Sequence, residues 1–470
     1  MKHSTPFYAI LVAAALTLGG CRWLEVDPEQ FILADDALET PDDLQALLIS
    51  CYDVMANLYD GDVQLMNELR GDNTNEPLSN NDLKAVYNRE TIRWTSYVGG
   101  VNRDFFYPVL RVNSLLDSFD LIEGLSSEDQ TRMEAEGKFI RAFCFWGAVK
   151  MFAQPYGYTA DNSHPGIPLP TFLRDAPFPR ASVAEAYAQI ESDLNDAIAG
   201  LPAENGKYAT KDAARALLAQ VHFLKFEFGA AAALATEVIE NPRYELEQHE
   251  TDSAFALLRL PQNLTSPEAI FTTYSTLSTN DNRTDQFIQW WQPTSNPEIS
   301  LTTEYWDWFQ QIAVGANEDR RANWLEYLPI EGKTLLTRFT EHSFFNVPLI
   351  HLTQMMLIRA ECYGELEQNK DQAIADINAI RNRAGITSDV YMLNPSAATY
   401  DDVVNAARNE YRKETLGMGL WVEQLQRRGA MGEDITIRGA AWDCPGMALQ
   451  FSASEGNVAG FEFNEVGGCN

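Results

Sequence analysis

The chain has 470 residues, of which 45% are hydrophobic and 22% charged, as in an ordinary folded protein rather than a disordered one. Its 67 acidic residues outnumber its 35 Lys and Arg residues, so the formal net charge is −32. This balance argues against a nucleic-acid partner, because phosphate binding needs a dense cationic surface. It equally argues against a basic anchor to anionic lipid. Neutral ligands, cationic ligands and other proteins remain.

The first twenty residues have the pattern of an export signal. Lys2 and His3 precede an apolar run at 7–18 that is too short to span a bilayer. The run ends in Leu-Gly-Gly-Cys21, which resembles the lipobox of bacterial lipoproteins. That resemblance implies cleavage before Cys21 and acylation of this cysteine, which would anchor the mature chain to a membrane. The alternative is a plain secretory signal in which Cys21 is incidental.

Helical patterns dominate the following region, up to about residue 240. Thr40 is a good N-cap residue and Pro41 suits the first helical position, and apolar residues then recur every three or four positions up to Leu58. Similar patterns predict further helices at 104–116, 134–151 and 183–199.

Two later segments each predict a pair of helices. The run 210–228 is apolar over most of its circumference, which indicates a helix buried among others. Gly229 is predicted to end it, and a second helix follows at 231–240. The same arrangement recurs at 349–365 and 371–384. Short breaks between Ala-rich helices are typical of tetratricopeptide-type hairpins, here as degenerate repeats without a clean period.

Residues 241 to about 348 differ from both sides of the chain. Helical periodicity fades, Pro, Asn, Thr and Ser increase, and five of the ten tryptophans lie here. An irregular, aromatic-rich segment set into a rigid scaffold is a place to expect binding. We therefore divide the chain into a signal peptide at 1–20, a helical-repeat region at 21–240 and a carboxyl-terminal region at 241–470 that contains this loop-rich insert.

The cysteines indicate an exported protein without a metal or redox centre. Cys51, Cys144 and Cys362 lie in apolar helical patterns and are predicted to be core residues. Cys444 and Cys469 lie in the Gly-rich tail, where they could pair in an oxidising compartment. No CxxC pair is present, which argues against a zinc or thiol redox site.

Five stretches together resemble one family. They are the segments 137–152, 180–202, 207–224, 357–385 and 408–429. With the lipobox, and in this order, they resemble the SusD/RagB family of outer-membrane lipoproteins. The last stretch departs from the family pattern, since Met418, Trp421 and Gln424 stand where the family has Glu, Arg and Asp.

The resemblance implies both a fold and a function. The fold would be mainly α-helical, a tetratricopeptide-like scaffold with a loop-rich, irregular carboxyl-terminal half. The function would be binding of a nutrient, usually a glycan, at the cell surface together with a SusC-like TonB-dependent transporter. The family also includes peptide binders, so a peptide ligand is a second possibility.

Candidate ligand-binding residues come first from the polar segment that begins at Gly71. Short polar side chains in this density cannot fill a core, so the segment is predicted to be a surface loop. The family carries a Gly-Asp element and binding residues in this part of the chain. The candidates are Asp72, Asn75, Trp94 and Asn102, and the alternative for each is ordinary turn capping.

The second group of candidates is Tyr274 with Trp290 and Trp291. On a strand, adjacent tryptophans would point to opposite faces, so at most one would reach a ligand. In a loop both would be able to do so. Trp291 is favoured, and the alternative is that it is a core residue.

A search for catalytic motifs gives no enzyme, metal or cofactor assignment. No P-loop, GxSxG, HExxH or EF-hand pattern is present. With 67 acidic residues, a glycosidase pair cannot be selected by spacing alone. Two alternatives to a nutrient-binding lipoprotein therefore remain: an α-helical glycoside hydrolase, and a helical-repeat adaptor that binds only protein through an extended concave groove.

Overall fold

The computed structural model describes residues 38–173, 178–249, 251–256, 258–262, 265–278, 282–294, 296–312 and 319–469. The predicted signal peptide and Cys21 lie outside these ranges. Within them, no helix combines the length and the apolar character that crossing a bilayer requires.

The amino-terminal half is built from helices. They are α1 Pro41–Leu58, α2 Asp62–Arg70, α3 Asn81–Tyr87, α4 Ser96–Ser118, α5 Ser127–Phe152, α6 Val183–Gly200, α7 Lys211–Leu224 and α8 Phe228–Ile239. Helix α5 packs against α6, α7 packs against α8, and α1 packs against both α4 and α5. Capping boxes at Thr40 with Asp43 and at Ser182 with Glu185 fix the starts of α1 and α6.

Three predicted boundaries in this half are wrong. Helix α5 begins at Ser127 rather than Glu134, because the Ser126 hydroxyl accepts a hydrogen bond from the Asp129 amide (3.0 Å) and caps the helix there. Helix α4 begins at Ser96 rather than Asp104, because the Asp82 carboxylate accepts hydrogen bonds from the Tyr97 amide (2.9 Å) and the Ser96 hydroxyl (3.1 Å). This contact comes from α3 and is invisible in the periodicity of α4 itself. The break between α7 and α8 lies before Phe228, where Phe226 adopts a positive φ of 63°, and Gly229 is inside α8.

The carboxyl-terminal half mixes helices with short strands. Its helices are α9 Asp252–Ala256, α10 Asp285–Trp290, α11 Thr303–Ile312, α12 Leu352–Glu365, α13 Lys370–Arg383, α14 Tyr400–Glu414 and α15 Trp421–Ala430. Helix α12 packs against α8 on one side and α14 on the other, so it joins the two halves. The predicted mainly α fold with a tetratricopeptide-like scaffold is confirmed by this architecture.

The strands form small antiparallel pairs. They are β1 Pro165–Pro168 with β2 Arg180–Ser182, β3 Ala269–Thr273 with β6 Val347–His351, β4 Leu325–Leu328 with β5 Lys333–Leu336, and β7 Thr436–Ile437 with β8 Ala440–Ala441. The β3–β6 pair packs against α7, and β6 continues directly into α12. In this pair Ala269 lies opposite His351. Within the described residues, these four pairs are separate two-stranded sheets and do not form a common sheet layer.

A buried group of charged side chains, here called the ion network, holds the carboxyl-terminal half together. Glu414 of α14 pairs with Arg259 (2.6 Å), Arg383 (2.6 Å) and Arg321 (2.9 Å). The network also includes Glu268, Asp319, Glu410 and Lys413. Each of these side chains is 0% or 1% exposed.

The described cysteines follow the sequence-based expectation. Cys51, Cys144 and Cys362 are buried free thiols. Cys444 and Cys469 form a disulfide that closes the carboxyl-terminal tail into a loop.

Candidate functional site

A surface cavity beside the first half of α4 brings three distant segments together. It has a volume of about 730 Å³, and we call it the tryptophan cleft. Its lining consists of Arg93–Ser96, Gly99, Gly100, Asn102, Arg103, Phe106, Tyr107, Leu110, Pro168, Pro170, Phe178 and Phe451–Glu455. Its size and its apolar lining with a few polar groups are typical of a small-molecule site.

The turn before α4 pushes Trp94 into solvent. Thr95 accepts a hydrogen bond from the Ile92 amide through its hydroxyl (3.0 Å), and its own amide donates to the Ile92 carbonyl (2.9 Å). This tight turn buries Thr95 and leaves the Trp94 side chain 75% exposed. An exposed ring of this size in the lining of a cavity offers a flat apolar face to a ligand.

One face of α4 forms the floor of the cleft. Gly99, Asn102, Phe106 and Leu110 recur at helical spacing and line it. A side chain at Gly100 would meet no atom within 4 Å, so the cavity stays open above it. Tyr107 supplies a second ring, 47% exposed, with the Arg103 guanidinium 5.4 Å from its centroid.

Two polar groups in the lining are buried or partly buried and lack hydrogen-bond partners within the described part of the chain. Asn102 is 2% exposed, yet its Nδ2 donates to no atom there. The Glu455 carboxylate likewise makes no hydrogen bond or ion pair with the described residues, and burial raises its pKa. An amide N–H that is buried without an acceptor costs free energy. A ligand oxygen that accepts a hydrogen bond from it would recover that cost.

The third wall comes from the carboxyl-terminal tail. The Ala453 amide donates to the Arg93 carbonyl (3.0 Å), and the Gln450 amide donates to the Thr91 hydroxyl (3.0 Å). These bonds join the tail to the turn that carries Trp94. Residues 451–455 also lie within the loop that the disulfide between Cys444 and Cys469 closes.

Of the predicted site residues, Trp94 and Asn102 line this cleft together. Asp72 and Asn75 lie elsewhere and are engaged within the chain. The Asp72 carboxylate accepts hydrogen bonds from Trp421 (2.9 Å) and Arg412 (3.1 Å). The Asn75 amide donates to the Leu301 carbonyl (2.8 Å) and the Ser300 hydroxyl (3.0 Å). A ligand role for Asp72 or Asn75 stays a prediction.

The structure separates Tyr274 from the two adjacent tryptophans. Trp290 is the last residue of α10 and Trp291 is its C-cap residue, so the pair lies at the end of a helix rather than on a strand. Trp290 donates its indole N–H to Asp62 (3.1 Å) and meets Tyr97 edge-on at 6.3 Å. Trp291 is 3% exposed and packs in the core. Tyr274 lines a different cavity system, described below.

An acidic group lies beneath Trp290. Burial raises the pKa of Asp60 to about 8, with a further contribution from the nearby Asp62 charge. Burial also raises the pKa of Asp62, although Tyr97 and Trp290 both donate hydrogen bonds to it. These contacts hold the α1–α2 turn against α4 and α10, which is a structural role.

A possible metal-ligand group already contains a cation of the protein. Glu191, His222 and Glu227 place ligand atoms within 4.8 Å of one another. The Lys225 ammonium binds the Glu191 carboxylate at 2.5 Å and the Glu227 carboxylate at 2.8 Å. Because Lys225 neutralises both carboxylates, this group needs no metal ion.

Sequence reasoning missed Tyr107, Phe451 and Glu455. Tyr107 was within reach, because it lies four residues after Arg103, about one helical turn, but the helix was predicted to start only at Asp104. Phe451 and Glu455 had no local signal, since the tail reaches the cleft only through the contacts of the folded chain.

Comparison with known proteins agrees with the resemblance seen in the sequence. A family model described as "Starch-binding associating with outer membrane" matches residues 22–223. A second model, described as "SusD family", matches residues 270–419.

Curated relatives share only part of their length with this chain. SusD-like protein P25 of Formosa agariphila is 23% identical over 246 residues, which are 48% of this chain and 44% of that protein. SusD-like protein P38 of the same organism is 25% identical over 261 residues, 52% of this chain and 47% of that protein. The chain thus spans about half the length of these relatives.

Solved structures show the same fold over nearly the whole chain. A SusD superfamily protein from Bacteroides thetaiotaomicron is 19% identical, with a TM-score of 0.77 over 91% of this chain and 100% of that one. A protein described as a laminarin-binding SusD-like protein is also 19% identical, with a TM-score of 0.70 over 91% of this chain and 99% of that one. At this level of identity the likeness concerns the fold.

Proposed function

The chain belongs to the SusD/RagB family, and from that premise we propose that it is a cell-surface lipoprotein that binds a glycan in the tryptophan cleft. We further propose that a lipid on Cys21 anchors it to the outer membrane and that it works with a SusC-like TonB-dependent transporter. Residues 21–240 would form the helical-repeat region and residues 241–470 the carboxyl-terminal region. The protein would bind its ligand without altering it.

The observation that carries the proposal is the exposed Trp94 ring in the lining of a cavity that also includes the Asn102 amide, which has no acceptor among the described residues. A sugar ring has an apolar C–H face, which an aromatic ring covers, and a rim of hydroxyls, which amide and carboxylate groups bind. Trp94 and Tyr107 supply the rings, and Asn102 and Glu455 supply a donor and an acceptor.

The expected affinity is modest. One ring contact of about 50 Å² at about 25 cal/mol/Å² contributes only about 1 kcal/mol. Two rings with several hydrogen bonds reach about 4–8 kcal/mol, which corresponds to millimolar to micromolar dissociation constants. Such binding suits a protein that must release its ligand to a transporter.

The lining of the cleft favours binding over hydrolysis. A glycosidase places two carboxyl groups about 5 to 9.5 Å apart across the scissile bond. Glu455 is the one carboxylate among the described residues that line the tryptophan cleft. The cleft is also a compact, ring-lined cavity rather than the extended groove expected of a protein-only adaptor.

The proposal is tested by electrophoresis of the protein, made without its first 21 residues, in gels containing laminarin, starch, xylan or pectin. We expect retardation by one of these polysaccharides without its cleavage. Trp94→Ala should weaken binding by about fivefold, equivalent to about 1 kcal/mol, and leave the melting temperature unchanged because the ring is largely exposed.

The matched control is Tyr327→Ala, which removes an exposed ring outside the cleft. It should bind as the wild type does. Cleavage of any polysaccharide, or retention by peptides alone, would overturn the glycan-binding proposal. The partner is checked separately by purifying the native protein from detergent-solubilised outer membranes, where a TonB-dependent transporter should accompany it.

A further inference from the structure

A second set of cavities lies between α1, the segment before α7 and strand β3. One cavity of about 400 Å³ and another of about 350 Å³ share five lining residues, namely Lys207, Tyr208, Phe271, Thr272 and Tyr274. Because they share these walls, the two cavities are neighbours, and we call them together the tyrosine groove. It has no lining residue in common with the tryptophan cleft.

The two tyrosine rings are fixed in place. The Tyr208 ring packs against Tyr52 at 4.8 Å between centroids. The Tyr52 hydroxyl in turn donates to Glu136 (2.7 Å) and accepts a hydrogen bond from the Ala209 amide (3.1 Å). The ring against which Tyr208 packs is therefore itself fixed. The Tyr274 hydroxyl lies 3.1 Å from the Thr265 hydroxyl. Rings that are ordered before binding lose little entropy when a ligand stacks on them.

Several polar groups of the groove have no partner within the described part of the chain. The hydroxyls of Thr272 and Thr273 are buried and make no hydrogen bond within the described part of the chain. The Lys207 ammonium forms no ion pair with the described residues and lies 5.6 Å from the Tyr208 ring. The other charged residues that line the groove form ion pairs: Arg243 pairs with Glu204, and Arg283 pairs with Asp53.

We infer that the tyrosine groove binds a second stretch of the same polysaccharide that enters the tryptophan cleft. The inference rests on the proposed glycan-binding function and extends it to two sites on one chain. Fixed rings, together with hydroxyls and an ammonium that have no partner among the described residues, fit a hydroxyl-rich chain better than an apolar ligand. Two linked sites hold a polymer far more tightly than either site holds a short piece of it.

The test compares a hexasaccharide with its parent polymer, using laminarin first and then each other polysaccharide of the gel panel that retards the wild type. Calorimetry with the hexasaccharide should give two equivalents per wild-type chain. Trp94→Ala and Tyr274→Ala should each weaken one of these two binding events and leave the other at its wild-type affinity. Either change should weaken hexasaccharide binding at the altered site by about fivefold, as expected for one ring contact of about 1 kcal/mol. Polymer binding should fall by a similar factor, and binding at the other site should change by less than about twofold.

Lys207→Ala provides a second variant that cannot disturb folding, because the side chain is exposed. It should weaken the second site by roughly 10-fold to 150-fold, which is the range of one hydrogen bond to a charged group. Tyr327→Ala again serves as the matched ring-deletion control.

The outcomes separate the two proposals. If the wild type binds no polysaccharide, the proposed function itself fails. If the wild type binds one equivalent, and Tyr274→Ala and Lys207→Ala leave polymer binding unchanged, the second site is wrong while the proposed function stands. Saturation of the groove by an extended peptide but not by the hexasaccharide would also overturn the inference.

Discussion

The ion network and the tryptophan cleft use the same kinds of side chain for opposite purposes. In the network, Glu414 is fully buried and three arginines surround it. In the cleft, Glu455 is partly buried and has no partner among the described residues. The difference shows that burial with partners makes a carboxylate structural, whereas burial without partners leaves it ready for a ligand.

The pKa directions express this difference. Burial alone would raise the pKa of Glu414, but Arg383, Arg259 and Arg321 hold it well below its usual value. For Glu455, burial acts without opposition and raises the pKa. Folding therefore favours the charged form of Glu414 and the neutral form of Glu455.

The largest expected effect is on the network. Glu414→Gln should lower the free energy of unfolding by about 3–5 kcal/mol, because it leaves buried arginines without their counter-charge. Urea unfolding measures the change. The matched control is Glu204→Gln, which breaks an exposed pair with Arg243 and should cost at most about 1 kcal/mol. Equal losses in the two variants would contradict a structural role for the network.

The same network predicts how stability responds to acid. Because the folded-state pKa of Glu414 lies below its unfolded value, its contribution is complete above the unfolded pKa and is lost as the pH falls through the folded one. The unfolding free energy of the wild type should thus decrease below about pH 4.5, the ordinary value for a glutamate, and Glu414→Gln should show a weaker dependence there.

An intermediate effect is expected at the disulfide, which joins the ends of the loop that carries one wall of the cleft. Cys444→Ala with Cys469→Ala should lower the unfolding free energy by about 2–4 kcal/mol through loss of the loop constraint. Amide exchange at 450–455 should accelerate and glycan affinity should fall, since this wall would no longer be fixed against Arg93.

Reduction of the wild type gives the control for that pair of substitutions. The other described cysteines are buried free thiols, so within the described chain a reductant changes only this one bond. Unchanged exchange at 450–455 after reduction would show that the loop is held without the disulfide.

The smallest effect is expected for Glu455→Gln. Removing a carboxyl whose folded-state pKa is raised should not lower stability, and above the folded pKa it should slightly increase it. Glycan affinity should fall by about twofold to tenfold, the range of one hydrogen bond. Calorimetry with the polysaccharide that binds the wild type measures the loss of affinity. Urea unfolding measures the stability of this variant for comparison with Glu414→Gln. A stability loss similar to that of Glu414→Gln would contradict the comparison.

The sequence by itself determined the helical scaffold and the family. Apolar spacing and capping residues such as Thr40 and Pro41 are local features, so they predict α1 and α6 without knowledge of the rest of the fold. The five ordered motifs predicted the SusD-like architecture, and two predicted ligand residues, Trp94 and Asn102, do line one cleft.

Only the tertiary structure decided which residues share a site. The tryptophan cleft needs the tail at 451–455 beside the turn at Trp94, and no spacing along the chain encodes a contact over that separation. The same holds for Asp72, Asn75 and Trp291, whose residue types suit a ligand but whose neighbours in the fold engage or bury them. The sequence gives the residue type at each position, whereas the exposure of a side chain and its hydrogen-bond partners depend on segments that are far apart in the sequence.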